Sequence, residues 1–436
     1  MKKFRIFFLL VALEFFAGAC FAGTFNFMGY GAANQGMGNS TVSLPMDANS
    51  QVYNPALMSF QPTQLFSIGA QGATTSFAGI NKVVTNTPNL GASSVISSNV
   101  DTSTPDTLLF DIAYQSALYK GEHPLHIGFA VVAPFQRILE SETPNDFQPQ
   151  YTMYSTDTQR FSPSLNLSMA LTDEFAVGVG ANVYVVQGTS SHQTLVANQN
   201  SNSVYSTDVR TGVSPAAGIA WAPTTHLRTA ISYRGKQDYQ SEVDEDATIS
   251  LVGPNDLLFS NLSSLDYDPD MFMAGLSVSD ESGNTYSGEV KYEAWGGYNG
   301  AAVQMNFSGA YAPTFSQTLP STPFHDIYTL HLGYQHQFTH DVFRLGYAYV
   351  PTPVPDPNTN QGSNILDSIK HEVFIGWGHR WEHFFLDGIL ELDLVGFLDY
   401  LVPINVVKIN SQSIGYPGYT IGGTIFGYGL TLTREY

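Results

Sequence analysis

Cysteine is almost missing from this chain: Cys20 stands alone, close to the N-terminus. One thiol cannot form an intramolecular disulfide, and a lone cysteine cannot build a thiolate metal centre. Charge is scarce too. Asp, Glu, Lys and Arg make up 12% of the residues, against roughly a quarter in soluble domains. Positive charge is scarcest, with 17 Lys and Arg against 37 Asp and Glu and a formal net charge of −20. That balance excludes a nucleic-acid partner, because phosphate binding needs clustered Lys and Arg. Long apolar runs are absent beyond the first residues. The longest candidate, Phe384 to Ile404, is broken by Asp387, Glu391, Asp393 and Asp399, so no segment offers the roughly 18 apolar residues of a spanning helix.

The first residues are of a different kind. Lys2, Lys3 and Arg5 precede an apolar run from Ile6 to Phe16 that only Glu14 interrupts, and Cys20-Phe21-Ala22 follows. This pattern predicts a secretory signal over residues 1–22, cut before Gly23. The rival reading is a lipoprotein signal, with Ala17-Gly18-Ala19 ahead of an acylated Cys20. Cutting at Gly23 removes the only cysteine and leaves a still more acidic chain.

What is abundant is aromatic and small: 29 Phe, 24 Tyr and 39 Gly. The period of the pattern says how they are used. Leu165, Leu167, Met169 and Leu171 share one parity, with Asn166, Ser168 and Ala170 on the other; after Thr172-Asp173, Phe175, Val177, Val179, Ala181, Val183 and Val185 again alternate. That is a strand hairpin, not a helix. Similar segments recur near Thr107–Tyr119, Leu125–Phe135, Ser214–Trp221, Leu227–Tyr233, Met271–Val278, Gly288–Trp295, Ala302–Tyr311, Tyr328–Phe338, Phe343–Val350, Glu372–Trp381, Phe384–Leu394 and Tyr419–Tyr436. In the Phe384 segment, Asp387, Glu391 and Asp393 share one face and Leu386, Leu390, Leu392 and Leu394 the other. Carboxylates toward a watery lumen and leucines toward lipid suit an all-β, antiparallel transmembrane barrel. Long polar stretches (Asn81–Thr104, Glu140–Thr158, Gln187–Asp208, Ser241–Asp270, Pro351–Ser368) read as outer loops. Pattern alone gives a dozen or more strands, in even number.

One stretch departs from this rhythm. Gly23 to Phe60 is rich in Gly, Asn, Ser and Ala, nearly uncharged, and ends through Asn54-Pro55-Ala56. It predicts a small plug over 23–63 ahead of a barrel over 64–436.

Here the sequence resembles a known family, the long-chain fatty acid and hydrocarbon transporters of Gram-negative outer membranes (FadL/TodX-like). The resemblance rests on Gly31 through Ser43, Met46-Asp47-Ala48-Asn49 and Asn54-Pro55-Ala56-Leu57-Met58. It continues through Ser164–Ser168 with Phe175–Asn182, Gly218–Trp221 with Pro223-Thr224, Arg228 and Ser232-Tyr233-Arg234, Asp326-Ile327-Tyr328, and Thr352-Pro353-Val354-Pro355 leading into Glu372–Trp381. It implies a fourteen-stranded barrel with an N-terminal hatch, passively importing long-chain fatty acids or other hydrophobic small molecules without a cofactor. It further implies a pocket bounded by the hatch and a sideways exit at a kinked strand. On that reading Asn54, Pro55 and Ala56 form the gate, Phe25, Phe27 and Met28 line the pocket, and Pro134 with Phe135 marks the exit. The bland readings are a surface turn, a frayed or simply packed terminus, and a strand end. The expected surroundings are outer-membrane lipid and lipopolysaccharide, with the barrel a monomer. Aromatic hydrocarbons are the alternative cargo, and a general porin or an adhesin scaffold the alternative functions. Each buried methylene is worth about 0.8 kcal/mol, so an apolar pocket can collect such a ligand. Arg137, Arg160, Arg210 and Arg234 are the candidate anchors for a carboxylate head.

Other chemistry finds little support. No Gly-x-Ser-x-Gly elbow occurs, and the plug glycines lack the lysine of a phosphate loop. His336 with His340 and His379 with His383 lack the further ligands of a metal site. Asp356, Asn358, Asn360 and Asp367 faintly resemble a calcium loop, but Gln361 stands where that motif needs Gly. No metal is expected.

Overall fold

The computed structural model describes residues 28–61, 64–86, 95–135, 148–154, 161–196, 202–250, 255–298, 304–309, 315–318, 323–362, 364–382 and 388–436. It begins with two short helices, α1 (Ala32–Gly36) and α2 (Ser50–Tyr53), and a 3₁₀ turn over Pro55–Phe60. Strands follow: β1 (Leu65–Phe77), β2 (Ile80–Asn86), β3 (Ile96–Val100), β4 (Thr107–Tyr119), β5 (Leu125–Pro134), β6 (Ser162–Ala170), β7 (Phe175–Val196), β8 (Asn202–Trp221), β9 (Leu227–Arg234) and β10 (Gln237–Ser250). The second half adds β11 (Asn255–Asp268), β12 (Met271–Ser279), β13 (Asn284–Glu293), β14 (Gln304–Gly309), β15 (Phe315–Thr318), β16 (Ile327–Gln337), β17 (Asp341–Val350), β18 (Lys370–Glu382), β19 (Ile389–Val407) and β20 (Gly418–Glu435).

Among the described residues, fourteen strands close an antiparallel ring in the order β1, β4 to β9, β12, β13 and β16 to β20. The ring shuts where β1 meets β20, from Leu65 opposite Glu435 to Phe77 opposite Gly423. Closure leaves no sheet edge, which lipid cannot tolerate. β10, β11, β14 and β15 stand outside this ring: β10 runs parallel to the Gln187–Val196 extension of β7 and starts a flap that continues through β11 and β14 to β15. β2 and β3 pair only with each other.

The alternation sorts side chains as its period requires. On β18, Glu372 and Phe374 are buried inside while Val373, Ile375 and Trp377 are exposed outside; on β19, Asp393 and Asp399 face in while Leu394 and Leu398 face out. Outward aromatics link neighbouring strands into a belt near one rim, Tyr233 to Phe272 (4.8 Å), Phe272 to Tyr292 (6.3 Å) and Tyr292 to Tyr328 (5.0 Å). Such girdles mark membrane interfaces. At the opposite end the turns are short and locally closed. Thr172 Oγ1 accepts from the amides of Glu174 and Phe175, and Thr224 Oγ1 from those of His226 and Leu227.

The structure corrects several boundaries. Leu65–Phe77, which the alternation did not single out, is the strand that closes the ring; its inner face carries Ser67, Gly69 and Gln71, so apolar contrast is weak. Parts of Asn81–Thr104, Gln187–Asp208 and Ser241–Asp270, read as loops, are strands. Ala302–Tyr311, read as a barrel strand, contains β14, which the ring excludes. Asp387 and Leu386 lie outside the described residues.

The inside–outside assignment predicts different responses to substitution on the two faces. Ile375→Arg, on the lipid face, should lower stability by up to roughly 2–4 kcal/mol, the cost of an Arg at the bilayer midplane, read as loss of the heat-modifiable band on gels. The lumen substitution Thr329→Ser should leave that band intact.

Candidate functional site

Residues 28–61 are almost wholly buried, and their partners lie on the inner faces of strands around the ring. Ala32 N donates to Thr431 Oγ1 of β20 (2.9 Å), Val42 N to Glu289 Oε2 of β13 (3.0 Å), and Asn49 Nδ2 to Asp111 Oδ1 of β4 (2.9 Å). The His331 Nδ1–H of β16 donates to Gly38 O (2.8 Å), and Gln35 pairs with Gln71 of β1. The segment contains little regular secondary structure, so its polar backbone must be satisfied by the wall. That explains its Asn, Gln and Ser content.

Asn54, Pro55 and Ala56 sit at the centre of one such contact. Asn54 Nδ2 donates to Val42 O (3.1 Å) and to Ile219 O of β8 (3.2 Å), while its Oδ1 accepts from Ala56 N (3.0 Å). One side chain therefore ties two parts of the segment to the wall and caps the 3₁₀ turn that Pro55 begins. The approach is close: a side chain on Gly178 of β7 would run into the backbone of Pro55 and Ala56, and one on Gly218 of β8 into the Asn54 amide. Ser168 Oγ of β6 donates to Ala56 O (3.2 Å). The tripeptide is no exposed turn; Asn54 and Ala56 have no exposed surface.

Met28 is buried, 1% exposed, in the largest apolar cluster. Phe25 and Phe27 lie outside the described residues. Pro134 is the last residue of β5, opposite Leu109, and the next amide, Phe135 N, still donates to Leu108 O (3.0 Å). The β4–β5 ladder is thus unbroken there. Among the described residues the last β5–β6 pair is Val132 with Ser162, and Phe135 is exposed, its ring edge-on to Phe110 at 5.4 Å. Of the candidate anchors, Arg137 and Arg160 lie outside the described residues, and of Arg210 only the backbone is described. Arg234 is buried and lies against the Tyr30 phenol. His336 Nδ1 contacts Asn284 and His379 Nδ1 contacts Asp341, and no metal-ligand cluster occurs among the described residues.

Beside the N-terminal segment, toward the long connections, the inner wall turns apolar. Ala73 and Phe77 of β1, Leu109 of β4, Val132 of β5, Met271 and Met273 of β12, Phe374 of β18, Phe397 and Leu401 of β19 and Ile425 of β20 join Met28 and Tyr30 in one cluster. Residues 148–154, between β5 and β6, fold inward to roof it. Tyr151 stacks on Phe77 (4.0 Å between centroids), and Tyr151 Oη accepts the Gly422 amide (3.0 Å). Gln150 N and Leu366 N exchange bonds with Asn364 O and Gln150 O. Tyr154 Oη donates to Asp367, whose carboxyl burial pushes above the ordinary range. Sequence reasoning missed this roof, because nothing in Tyr151 or Tyr154 distinguishes a ring turned inward from one on the surface.

Asp47 is the unusual charge of the N-terminal segment. It accepts from Asn34 Nδ2 and Asn49 N (both 2.9 Å), yet burial first, then the negative charges of Asp393 and Asp111, push its carboxyl up to about 7. The folded protein therefore holds a proton that the unfolded chain releases near 3.8. Stability from this site is complete below that lower value and is lost as pH rises through about 7. Protease susceptibility of the segment should accordingly increase between about pH 4 and 7 and level off above that, and Asp47→Asn should flatten that part of the profile. Gly178→Val should expose the segment to protease at every pH.

Residues 8–382 match the family model described as outer membrane protein transport protein (OMPP1/FadL/TodX). No curated protein matches the chain. Among solved structures, a Pseudomonas aeruginosa FadL homologue superposes with a TM-score of 0.60 at 13% identity, covering 96% of this chain and 99% of that one. The P. putida toluene transporter TodX gives 0.57 at 13%, covering 94% and 99%, and the Ralstonia pickettii toluene transporter TbuX 0.52 at 13%, covering 94% and 100%. At such identity the likeness is one of fold.

Proposed function

The chain belongs to the outer membrane protein transport protein family (OMPP1/FadL/TodX), outer-membrane channels for hydrophobic compounds rather than enzymes, and from that premise we propose passive uptake of long-chain fatty acids or related hydrophobic compounds. In this reading residues 1–22 are the export signal, 23–63 the hatch and 64–436 the barrel, which works as a monomer among outer-membrane lipid and lipopolysaccharide. The long connections face outward, as in bacterial barrels generally.

The observation that carries the proposal is the apolar inner wall beside a buried N-terminal segment. A water-filled porin gains nothing from Leu109, Phe374, Phe397 and Ile425 inside its lumen; an apolar cargo gains about 0.8 kcal/mol for each methylene it buries there. Tyr151 and Tyr154 stand at the outer mouth of this route, and Met28, with Phe25 and Phe27 before it, at its inner end. Asn54, Pro55 and Ala56 latch the hatch, and cargo leaves sideways beside Pro134 and Phe135. A proline tolerates such a seam because it has no amide to leave unpaired.

The test is uptake of a labelled long-chain fatty acid, and separately of toluene, by cells with this protein as their only such transporter. Asn54→Ala/Pro55→Ala runs alongside. The Asn54 change removes the donor from two buried carbonyls and loosens the latch by roughly 1–3 kcal/mol. Altered uptake with the barrel still assembled supports the latch, and the two cargo arms separate fatty acid from aromatic hydrocarbon. Uptake of neither by the intact protein would sink the proposal in favour of a porin or surface scaffold.

A further inference from the structure

The inner faces of β18 and β19 form a ladder of cross-strand pairs whose character changes step by step. Lys370 stands opposite Leu401, Glu372 opposite Asp399, Phe374 opposite Phe397 and Gly376 opposite Val395. The phenyl rings lie 5.4 Å apart, and the next step, Gly376, receives Gly36 of α1 against its Cα. The column thus runs from two carboxylates, over two aromatic rings, down to the N-terminal segment.

Its charges do not balance. Glu372 and Asp399 are direct cross-strand neighbours, an arrangement of like charges that repels. Asp399 is 1% exposed, and among the described residues no donor reaches either of its oxygens. The nearby cation, Lys370, pairs with Glu372 at 3.4 Å, its Nζ 5.5 Å from the Tyr154 ring. Asp367 adds a third carboxylate above them, held by Tyr154. Other described lumen cations are engaged elsewhere: Arg344 with Asp393 and Glu391, Lys291 with Glu293, Arg380 with Glu435, and Arg234 beside Tyr30.

We propose that Glu372 and Asp399 form a head-group subsite for an amphiphile carrying a protonated amine, with its apolar body lying over Phe374 and Phe397. This rests on the transport route above and, among its hydrophobic cargoes, favours an amine-bearing compound over a fatty acid. An ammonium brings both missing quantities, positive charge and N–H donors, and the Tyr154 face adds a cation–π contact. A carboxylate head would add a fourth negative charge, and a plain hydrocarbon would leave Asp399 without a donor.

The experiment compares dodecylammonium, dodecanol and dodecanoate, equal in chain length, for binding to the purified full-length barrel in neutral detergent. Toluene uptake into proteoliposomes is measured on the same wild-type preparation. At least tenfold tighter binding of dodecylammonium than of dodecanoate is expected, collapsing to less than threefold in Asp399→Asn. Glu372→Gln should reduce the preference similarly and serves if the Asp399 variant does not assemble. Equal binding of the three heads by a wild type that takes up toluene would overturn the subsite and leave the transport reading standing. A preference that both variants retain would also overturn it. A wild type that takes up no toluene and binds none of the three chains would overturn both.

Discussion

The structure depends on closure. Backbone amides and carbonyls within a bilayer have no water to turn to, so every strand must find two neighbours. The pairing of β1 with β20 supplies the last of them, joining Leu65–Phe77 to Gly423–Glu435. Once the ring is shut, its outer face is committed to lipid and its inner face becomes a separate environment. Everything specific to this protein is built on that inner face.

The inner face is used in two ways. Around the N-terminal segment the wall is polar or bare: Asp111, Gln71, Thr431, Glu289 and His331 supply hydrogen bonds, while Gly178, Gly218 and Gly376 let irregular backbone come close. A segment with so few internal ladder bonds is held by its partners rather than by itself. Its hydrogen bonds to the wall are separate from the ladder bonds that close the ring. Asn54 concentrates that dependence, since one amide serves Val42, Ile219 and Ala56 together.

Toward the outer mouth the same wall becomes amphipathic. Apolar side chains from β1, β4, β5, β12 and β18 to β20 gather with Met28, while Lys291, Glu293, Lys370, Glu372 and Asp399 occupy neighbouring inward positions. A lumen of this kind suits molecules with an apolar body better than hydrated solutes. The inward fold of Tyr151 and Tyr154, fixed by Phe77, Gly422 and Asp367, keeps that surface covered from outside.

The sequence by itself determined the fold class, because a period of two is a local property: Leu394 and Leu398 outward with Asp393 inward can be read from one strand. It also marked the N-terminal stretch, where low charge and Gly-Asn-Ser richness break the rhythm, and Asn54-Pro55-Ala56 within it. It did not reveal β1, whose inner face of Ser67, Gly69 and Gln71 lacks contrast, nor the flap of β10 and β11, whose polar residues read as loop. Only the tertiary structure decided which residues meet: Asn54 with Ile219, Tyr151 with Gly422, Glu372 with Asp399. Those contacts depend on strand register and on how connections fold over the rim. One residue of slip exchanges the two faces of a strand, and no local pattern records where a distant strand will stand.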